Sequence, residues 1–312
     1  MAVGALSSLG LIKEAVFGTP LVPTVFPPFT SESFKDGPEA ISEPQIRALL
    51  SMDPKYKGML MVSGGFSGIA YPSQLGHLIR AALGPDTVTG TGPFVHTFVA
   101  PQVPVGGIAK ADLPPYSISV NRNAIQCKRY ISCVCTKLGL KFAQGGALTY
   151  DTSWIGQNTD SISPPTVVLP TDTPFTLTAS ISRGGSTDAT IQDFSIDISN
   201  TLEGVKTINN SNLIDSIRFS GKRSITFSGT ADFSTSALYD QFILFTSQLW
   251  IITFTQGTST LAIEIPAGLI TDAGASVGGD GRITLSFSGE GQYDTSASRD
   301  LRMVLTNSVA TY

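Results

Sequence analysis

The amino-acid sequence predicts a mainly β fold made of two similar halves. Two observations support this prediction. Apolar and polar residues alternate along most of the 312 residues, and the order of strands, turns and helices repeats after the middle of the chain. Alternation with a period of two is typical of antiparallel strands that bury one face.

The predicted strands occur in both halves. In the second half, apolar residues alternate with polar residues at 175–181, 224–233, 260–265 and 283–288. In the first half, alternation over 138–142 and 148–150 flanks the segment Gln144-Gly145-Gly146. A glycine-rich turn between two alternating segments predicts a β-hairpin.

Helical patterning is limited to one segment in each half. Residues 73–83 have apolar side chains at helical spacing, with Ser73 as the expected N-cap and Gly84-Pro85 as the stop. Residues 236–245 have a similar pattern. Between the halves, residues 157–174 are rich in Pro, Ser and Thr and follow no period, so we expect a linker there.

The halves also match in spacing, which predicts an internal duplication. Leu11 in the first half corresponds to Leu177 in the second, and Val62 corresponds to Ile225 at nearly the same separation along the chain. The predicted boundaries are domain 1 at residues 1–156, a linker at 157–174, domain 2 at 175–300 and a C-terminal tail at 301–312.

Composition and charge exclude several classes of protein. Charged residues make up 14% of the chain, where soluble proteins usually have about 25%. This deficit indicates a protein that either aggregates or buries much of its surface in an assembly. The net charge of −4 argues against general binding to nucleic acid or to anionic membranes. No segment has the length and apolar character of a transmembrane helix.

The sequence also lacks a catalytic or cofactor-binding motif. Ser216 stands where a P-loop ending at Gly221-Lys222 requires glycine. His77 and His96 have no nucleophile motif beside them, so we interpret both as structural. Three cysteines, Cys127, Cys133 and Cys135, are expected to be reduced and buried rather than metal ligands. We therefore expect no enzymatic activity, no cofactor and no metal site.

Each half contains a long connection between strands, at residues 35–57 and 200–220. Both exceed the usual hairpin loop of 2–5 residues. One interpretation is a pair of disordered surface loops. The first connection, however, contains the apolar residues Ile46, Leu49, Leu50 and Met52, which a solvated loop does not need. These residues favour a docking arm, which could reach about 35 Å to a neighbouring subunit.

Several short motifs of the first half suggest a family. In chain order they are FGTP at 17–20, FTSES at 29–33, VSGGF at 62–66, YPSQLGHLIRAALG at 71–84, HTF at 96–98, LPPYSI at 113–118 and KLGLK at 137–141. Together these motifs span most of residues 10–157, and their order resembles that of tail tube proteins of long-tailed, siphophage-like bacteriophages. The second half is similar mainly in its pattern.

This resemblance implies a fold and a function. The expected fold is two tandem β-sandwich or split-barrel domains, each with one flanking helix and one long inter-strand loop. The expected function is that of a structural virion protein, made and assembled in the cytoplasm of the host bacterium. Its rings would stack through the long loops into a hollow tube for DNA ejection.

The resemblance also implies partners. These are further copies of the chain, a tape measure protein, a tail terminator and a distal tail protein, with transient, non-specific passage of double-stranded DNA and no membrane. Single-domain relatives would form rings of six chains. Because this chain has two domains, we predict a trimeric ring with pseudo-sixfold symmetry, with a hexamer as the alternative.

Two sets of residues are predicted to carry this function. Polar strand faces are expected to line the lumen, through Ser224, Thr226, Ser228, Thr230, Asp232, Thr284, Ser286, Ser288 and Glu290. Their opposite faces should pack in the core, through Ile225, Phe227, Phe233, Ile283, Leu285 and Phe287. The arms are expected to join successive rings, through Ile46, Leu49, Leu50, Met52, Val205, Ile208, Leu213 and Ile214. Lys137 and Lys141 could also face the lumen.

The alternative function is a two-domain β-sandwich adhesin or carbohydrate-binding module. Such a protein needs exposed aromatic side chains as a binding platform. Trp154 and Trp250 alternate within apolar strands, however, so we predict that both lie in the core.

Overall fold

A computed structural model describes residues 3–42, 44–48, 50–103, 110–176, 178–277 and 280–312. The described residues are mainly β, as predicted. The strands are β1 (Ser8–Lys13), β2 (Ser31–Glu32), β3 (Lys35–Ser42), β4 (Lys55–Ile69), β5 (Asp86–Thr89), β6 (Phe94–Val99), β7 (Tyr116–Arg122), β8 (Gln126–Ala143), β9 (Thr149–Gly156), β10 (Asn158–Ser161), β11 (Ala179–Arg183), β12 (Ser186–Thr187), β13 (Ile191–Ser199), β14 (Leu202–Val205), β15 (Ser216–Phe219), β16 (Ser224–Asp232), β17 (Gln248–Gln256), β18 (Ser259–Ser276), β19 (Thr284–Gln292) and β20 (Arg302–Asn307). The helices are α1 (Pro72–Leu83) and α2 (Ala237–Leu244), and Gly4–Leu6 forms a 3-10 turn.

One antiparallel sheet runs through both halves, and we call it the inner sheet. Its strands lie in the order β3, β4, β9, β8, β13, β16, β19, β18, and the short β2 pairs further along β4. The halves meet where β8 pairs with β13, from Ala143 opposite Asp193 to Lys137 opposite Ser199. The inner sheet therefore continues from one half into the other without a break.

A second layer of strands packs on each half of the inner sheet. In the first half, β1, β7, β8 and β10 form this layer. In the second half, it consists of β12, β11, β17, β18, β20, β6 and β5. Because β8 and β18 are each 18 residues long, each contributes one segment to the inner sheet and another to the second layer.

A tryptophan lies between the layers in each half. Trp154 stacks on Phe66 and makes an edge contact with Tyr116. Trp250 lies with its ring centroid 5.0 Å from that of Phe227. Both tryptophans are almost completely buried. The prediction that they are core residues is confirmed.

The strand registers of the first half are repeated, pair by pair, in the second half. Gly139 pairs with Asp151 in the first half, and Gly274 pairs with Ser286 in the second, so both partners move by the same number of positions. The registers also shift at equivalent places, before Lys137 and before Asp272. The pairing of β4 with β9 likewise corresponds to that of β16 with β19, and segment 31–36 corresponds to segment 193–198. The repeat seen in the sequence thus extends to individual strand pairs.

Each half has one helix among the described residues, close to its predicted position. α1 begins at Pro72 rather than after a Ser73 cap, because the Ser73 side chain and N–H are both bonded to Asp172, at 2.8 and 2.7 Å. α2 begins after Ser236 and ends before Phe245, which adopts a left-handed backbone conformation. Neither of these two helices, in the part of the chain that is described, is long and apolar enough to cross a membrane.

The segments outside the predicted domains contribute strands to the fold. Residues 158–161 of the predicted linker form β10 on β8. Residues 302–307 of the predicted tail form β20 between β18 and β6, so β20 ties the second half to the first. Within the predicted tail at 301–312, Met303 and Leu305 are buried core residues. The division into two domains stays a prediction, since the inner sheet and one hydrophobic cluster cross the boundary.

Two strand predictions differ from the structure in detail. Phe233 and Ile283, which the alternation places in the core, lie at strand ends and are 38% and 37% exposed. At 175–181, regular pairing begins only at Ala179. Phe175 is nevertheless buried, and its backbone bonds to Ala70 and Leu148.

Candidate functional site

The predicted lumen residues lie together on one polar face of the inner sheet. β16 and β19 bring them opposite one another, as Thr226 with Glu290, Ser228 with Ser288, Thr230 with Ser286, and Asp232 with Thr284, while Ser224 lies at the end of β16. These side chains are exposed or half-buried. The alternating residues Ile225, Phe227, Leu285 and Phe287 are buried on the other face. Alternation within each strand therefore separates a polar surface from the core.

The same polar face continues into the first half. Its further members are Asp193, Ser195, Asp197 and Ser199 on β13, Lys137 and Lys141 on β8, and Thr149, Asp151 and Ser153 on β9. The residues of β13 are absent from the lumen predicted from the sequence, although Ile191–Ser199 alternates just as the predicted strands do. We call this whole surface the polar face.

Lys137 is held by two carboxylates on the polar face. Its Nζ lies 3.2 Å from Asp151 Oδ2 and 3.1 Å from Asp197 Oδ1. Both aspartates pair with Gly139, one from each neighbouring strand. A side chain at Gly139 would collide with both carboxylates, so glycine leaves them room to reach Lys137.

The charges around Lys137 also affect its ionisation. Burial lowers the pKa of Lys137, but the hydrogen bond to Asp197 and the charges of Asp151 and Asp197 outweigh this effect and leave the pKa above its ordinary value. The positive charge of Lys137 is thus compensated by the two carboxylates. Acidic side chains still predominate on the polar face: Asp151, Asp193, Asp197, Asp232, Asp272 and Glu290, against Lys35, Lys137, Lys141 and Arg282, the last of which is paired with Asp232.

The first arm is a β-ribbon rather than a loop. β3 pairs with the first part of β4, from Lys35 opposite Ser63 to Ser42 opposite Lys55. Near its tip, Ile46, Leu50 and Met52 are 105%, 109% and 89% exposed. Leu49, which was predicted to join them, lies outside the described residues. The arm therefore presents an apolar tip that its own chain does not cover.

The second arm is shorter and is anchored on its own chain. β14 and β15 form its ribbon. Ile214 and Ile217 pack with Phe17, Leu113 and Val134 of the first half. Asp112 accepts hydrogen bonds from Arg218 Nη1 at 2.6 Å and from the Phe219 N–H at 2.8 Å. The sequence did not predict this anchoring.

The predicted contact residues of the second arm differ in exposure. Ile214 is 4% exposed, whereas Ile208 is 108% exposed and Val205 is 38% exposed. Leu213 is half-buried. Ile214 is therefore committed to packing within the chain, and Ile208 is the most exposed of the four.

The histidines and cysteines lie in packed surroundings. His96 is buried, with its ring nitrogens 2.6 Å from Asp86 Oδ2 and 2.7 Å from the Val309 carbonyl. Burial and the nearby charges of Arg80 and Lys13 lower the pKa of His77 to about 4. All three cysteines are free and buried, and burial raises the pKa of each thiol. No group of three or more His, Cys, Asp or Glu within the described ranges could hold a metal ion.

Comparison with known protein families gives a match over most of the chain. A family model described as phage tail tube protein matches residues 4–291, which is nearly the whole chain. A search of curated proteins found no match.

Proposed function

Because this chain belongs to the phage tail tube protein family, and is thus a structural component of the virion tail, we propose that its copies stack as rings around a bore. Double-stranded DNA would pass through this bore during ejection. The observation that carries the proposal is the polar face, which runs across both halves while the opposite side of the same sheet forms the core.

The polar face suits a passage that does not retain DNA. Each Lys or Arg that neutralises a phosphate releases counterions and thereby strengthens binding to DNA. The polar face instead carries mainly hydroxyl and acidic groups, and Lys137 is already paired with Asp151 and Asp197. Phosphates would therefore be repelled or ignored. Lys141, which is exposed, is the cation with the least compensation in this proposal.

We propose a ring of three chains, with six chains as the alternative. The repeated strand registers give each chain two similar four-strand segments of the inner sheet. Three chains then provide six equivalent segments, which gives pseudo-sixfold symmetry. Native mass spectrometry of isolated rings would distinguish three chains from six.

The first arm is the proposed contact between successive rings. Ile46, Leu50 and Met52 are almost completely exposed, and burying each side chain contributes about 1.5–3 kcal/mol. Leu49 belongs to the same proposal on sequence grounds. Val205, Ile208 and Leu213 on the second arm are secondary candidates.

A tape measure protein, a tail terminator and a distal tail protein are proposed as further partners, and we propose no enzymatic activity.

Negative-stain electron microscopy of the purified protein tests this function. Rings or tubes with a central bore are expected. Dispersed monomers over a wide range of protein and salt concentrations would contradict the proposal and favour the alternative of an adhesin or carbohydrate-binding module. That alternative has little structural support, because Trp154 and Trp250 are buried and cannot form a binding platform.

A further inference from the structure

The inner sheet ends in two edges that have no neighbouring strand among the described residues. At one edge, β3 pairs with β4 on one side only. At the other, residues 269–276 of β18 pair with β19 on one side only. The exposed backbone groups of an edge strand are a template for pairing with another chain.

The junction inside the chain shows how two such edges can meet. β8, the last strand of the first half of the inner sheet, pairs with β13, the first strand of the second half. By the repeated registers, β18 is the equivalent of β8, and segment 31–36 is the equivalent of segment 193–198. Within the chain, Gly139 pairs with Asp197. The same correspondence places Gly274 opposite Lys35.

The charges at these equivalent positions are reversed but complementary. Inside the chain, Lys137 on β8 forms an ion pair with Asp197 on β13. The corresponding residues are Asp272 on β18 and Lys35 on β3, and both are exposed. Asp272 stands at the position of Lys137, and Lys35 stands at the position of Asp197. The two residues lie at opposite edges of the inner sheet. A contact between two copies brings them together.

Exposure and space at the β18 edge agree with this contact. Leu140 is 3% exposed where β13 lies beside it, whereas its equivalent Ala275 is exposed. A Cβ atom added at Gly274 would meet nothing within 4 Å. The edge therefore has room for a neighbouring strand where the equivalent edge of β8 is already covered.

We propose that residues 269–276 of β18 in one copy pair antiparallel with residues 31–37 of the next copy, with Lys35 opposite Gly274 and an ion pair between Lys35 and Asp272. This inference rests on the proposed function and names the lateral contact that closes the ring. Because the two edges differ, the contact is head-to-tail and closes when the rotation between copies divides a full turn.

In the single chain, side chains bond to the backbone of the edge formed by residues 31–37. Glu32 accepts a hydrogen bond from the Phe34 N–H at 2.9 Å, and Arg122 donates one to the Phe34 carbonyl at 2.8 Å. These contacts satisfy the backbone of Phe34 before assembly. The incoming β18 replaces them with strand pairing.

Cysteine cross-linking tests the predicted register. The variant with Lys35→Cys and Gly274→Cys is assembled, oxidised and run on a non-reducing gel, where covalent species of two and three chains are expected. The register control combines Ser42→Cys with Gly274→Cys and should stay monomeric. Lys141→Cys with Ser195→Cys places a pair on the same two strands inside one chain and should cross-link without forming oligomers. The native cysteines are buried, which keeps the background low.

Charge reversal tests the ion pair separately. Asp272→Lys should reduce ring formation at least tenfold, and adding Lys35→Asp to that variant should restore it. Asp280→Lys makes the same change of charge at a nearby exposed position and should leave assembly unchanged. A second reversal that fails to restore rings would overturn the ion pair.

The outcomes separate this contact from the proposed function. Absence of rings or tubes from the wild-type protein would contradict the function itself. Wild-type and cysteine variants that all form tubes, with only monomers on the gel, would overturn the strand contact and leave the function standing.

Discussion

Lys137 shows how a lysine can lie on the surface that we propose DNA passes. Asp151 and Asp197 approach it from neighbouring strands, and Gly139 leaves room for both carboxylates. Removing those charges would leave an unpaired cation on the same face of β8 as Lys141. The polar face depends on this balance of charge, and the balance is set by three adjacent strands.

The balance can be tested with DNA. Asp151→Asn with Asp197→Asn should convert an inert surface into one with measurable affinity for double-stranded DNA, which weakens steeply as salt is raised. Fluorescence anisotropy at several salt concentrations would measure the change. Adding Lys137→Met to the double variant should remove most of the gained affinity. Equal binding by all three proteins would contradict the account of Lys137.

The lowered pKa of His77 leads to a separate prediction about the pH dependence of stability. Its pKa is about 4 in the folded chain and about 6.5 when unfolded. The unfolded state therefore binds more protons between these pH values. The contribution of His77 to the free energy of unfolding is fully present above pH 6.5 and is lost as the pH is lowered toward 4. The shift corresponds to about 3 kcal/mol.

Replacement of His77 should remove this dependence. Urea unfolding of wild-type protein and of His77→Gln would be compared at pH 7 and pH 4.5. We expect the variant to lose less stability than the wild type over that interval. An identical loss in both proteins would show that another group controls the acid sensitivity.

At the level of elements, the first arm is a part of the fold that the isolated chain leaves unpacked. Its ribbon projects Ile46, Leu50 and Met52 into solvent, which is unfavourable unless another surface covers them. Ile46→Asp with Leu50→Asp should leave a soluble, folded protein that no longer forms tubes. Leu49→Asp with Leu50→Asp should do the same.

The control for the arm is Ile125→Asp, because Ile125 is 72% exposed at the turn between β7 and β8. It should form tubes of normal length. Electron microscopy and circular dichroism would compare the proteins. Normal tubes from the arm variants would contradict the proposed contact between rings.

Substitutions in β20 are expected to affect the stability of the folded chain, because β20 is part of the core. Leu305 is completely buried between β18 and β6. Leu305→Ala should lower the free energy of unfolding by about 2–5 kcal/mol. Thr306→Ala, on the other face of the same strand, should cost much less. Urea unfolding measures both, and similar small effects would show that β20 is peripheral.

Strand alternation and the order of strands, turns and helices within each half could be predicted from the sequence, because both depend on local pattern. The polar residues of β16 and β19 are examples, since their apolar partners Ile225 and Leu285 are buried as predicted. The pairing of β8 with β13 and the place of β20 could not be read, because they depend on contacts between distant segments. For the same reason, the sequence did not show that Ile214 packs against the first half.

For the whole molecule, the number of strands decides the width of the bore. In the proposed ring, three chains with eight inner-sheet strand positions each would give a closed sheet of about 24 strands. At a spacing of about 4.8 Å and a tilt of about 40°, such a sheet measures about 48 Å across between backbones. Side chains narrow this opening, which remains wider than a DNA duplex. The repeat of strand registers within each chain therefore has a direct consequence for the dimensions of the tube.

The most direct test of the central claim is a cryo-electron microscopy reconstruction of the assembled tube. The account predicts three chains per ring, with Ser228 and Ser288 facing the bore and Phe227 and Phe287 packed behind them. A tube whose bore is lined mainly by Lys and Arg, or whose Ser228 and Ser288 face outward, would contradict it.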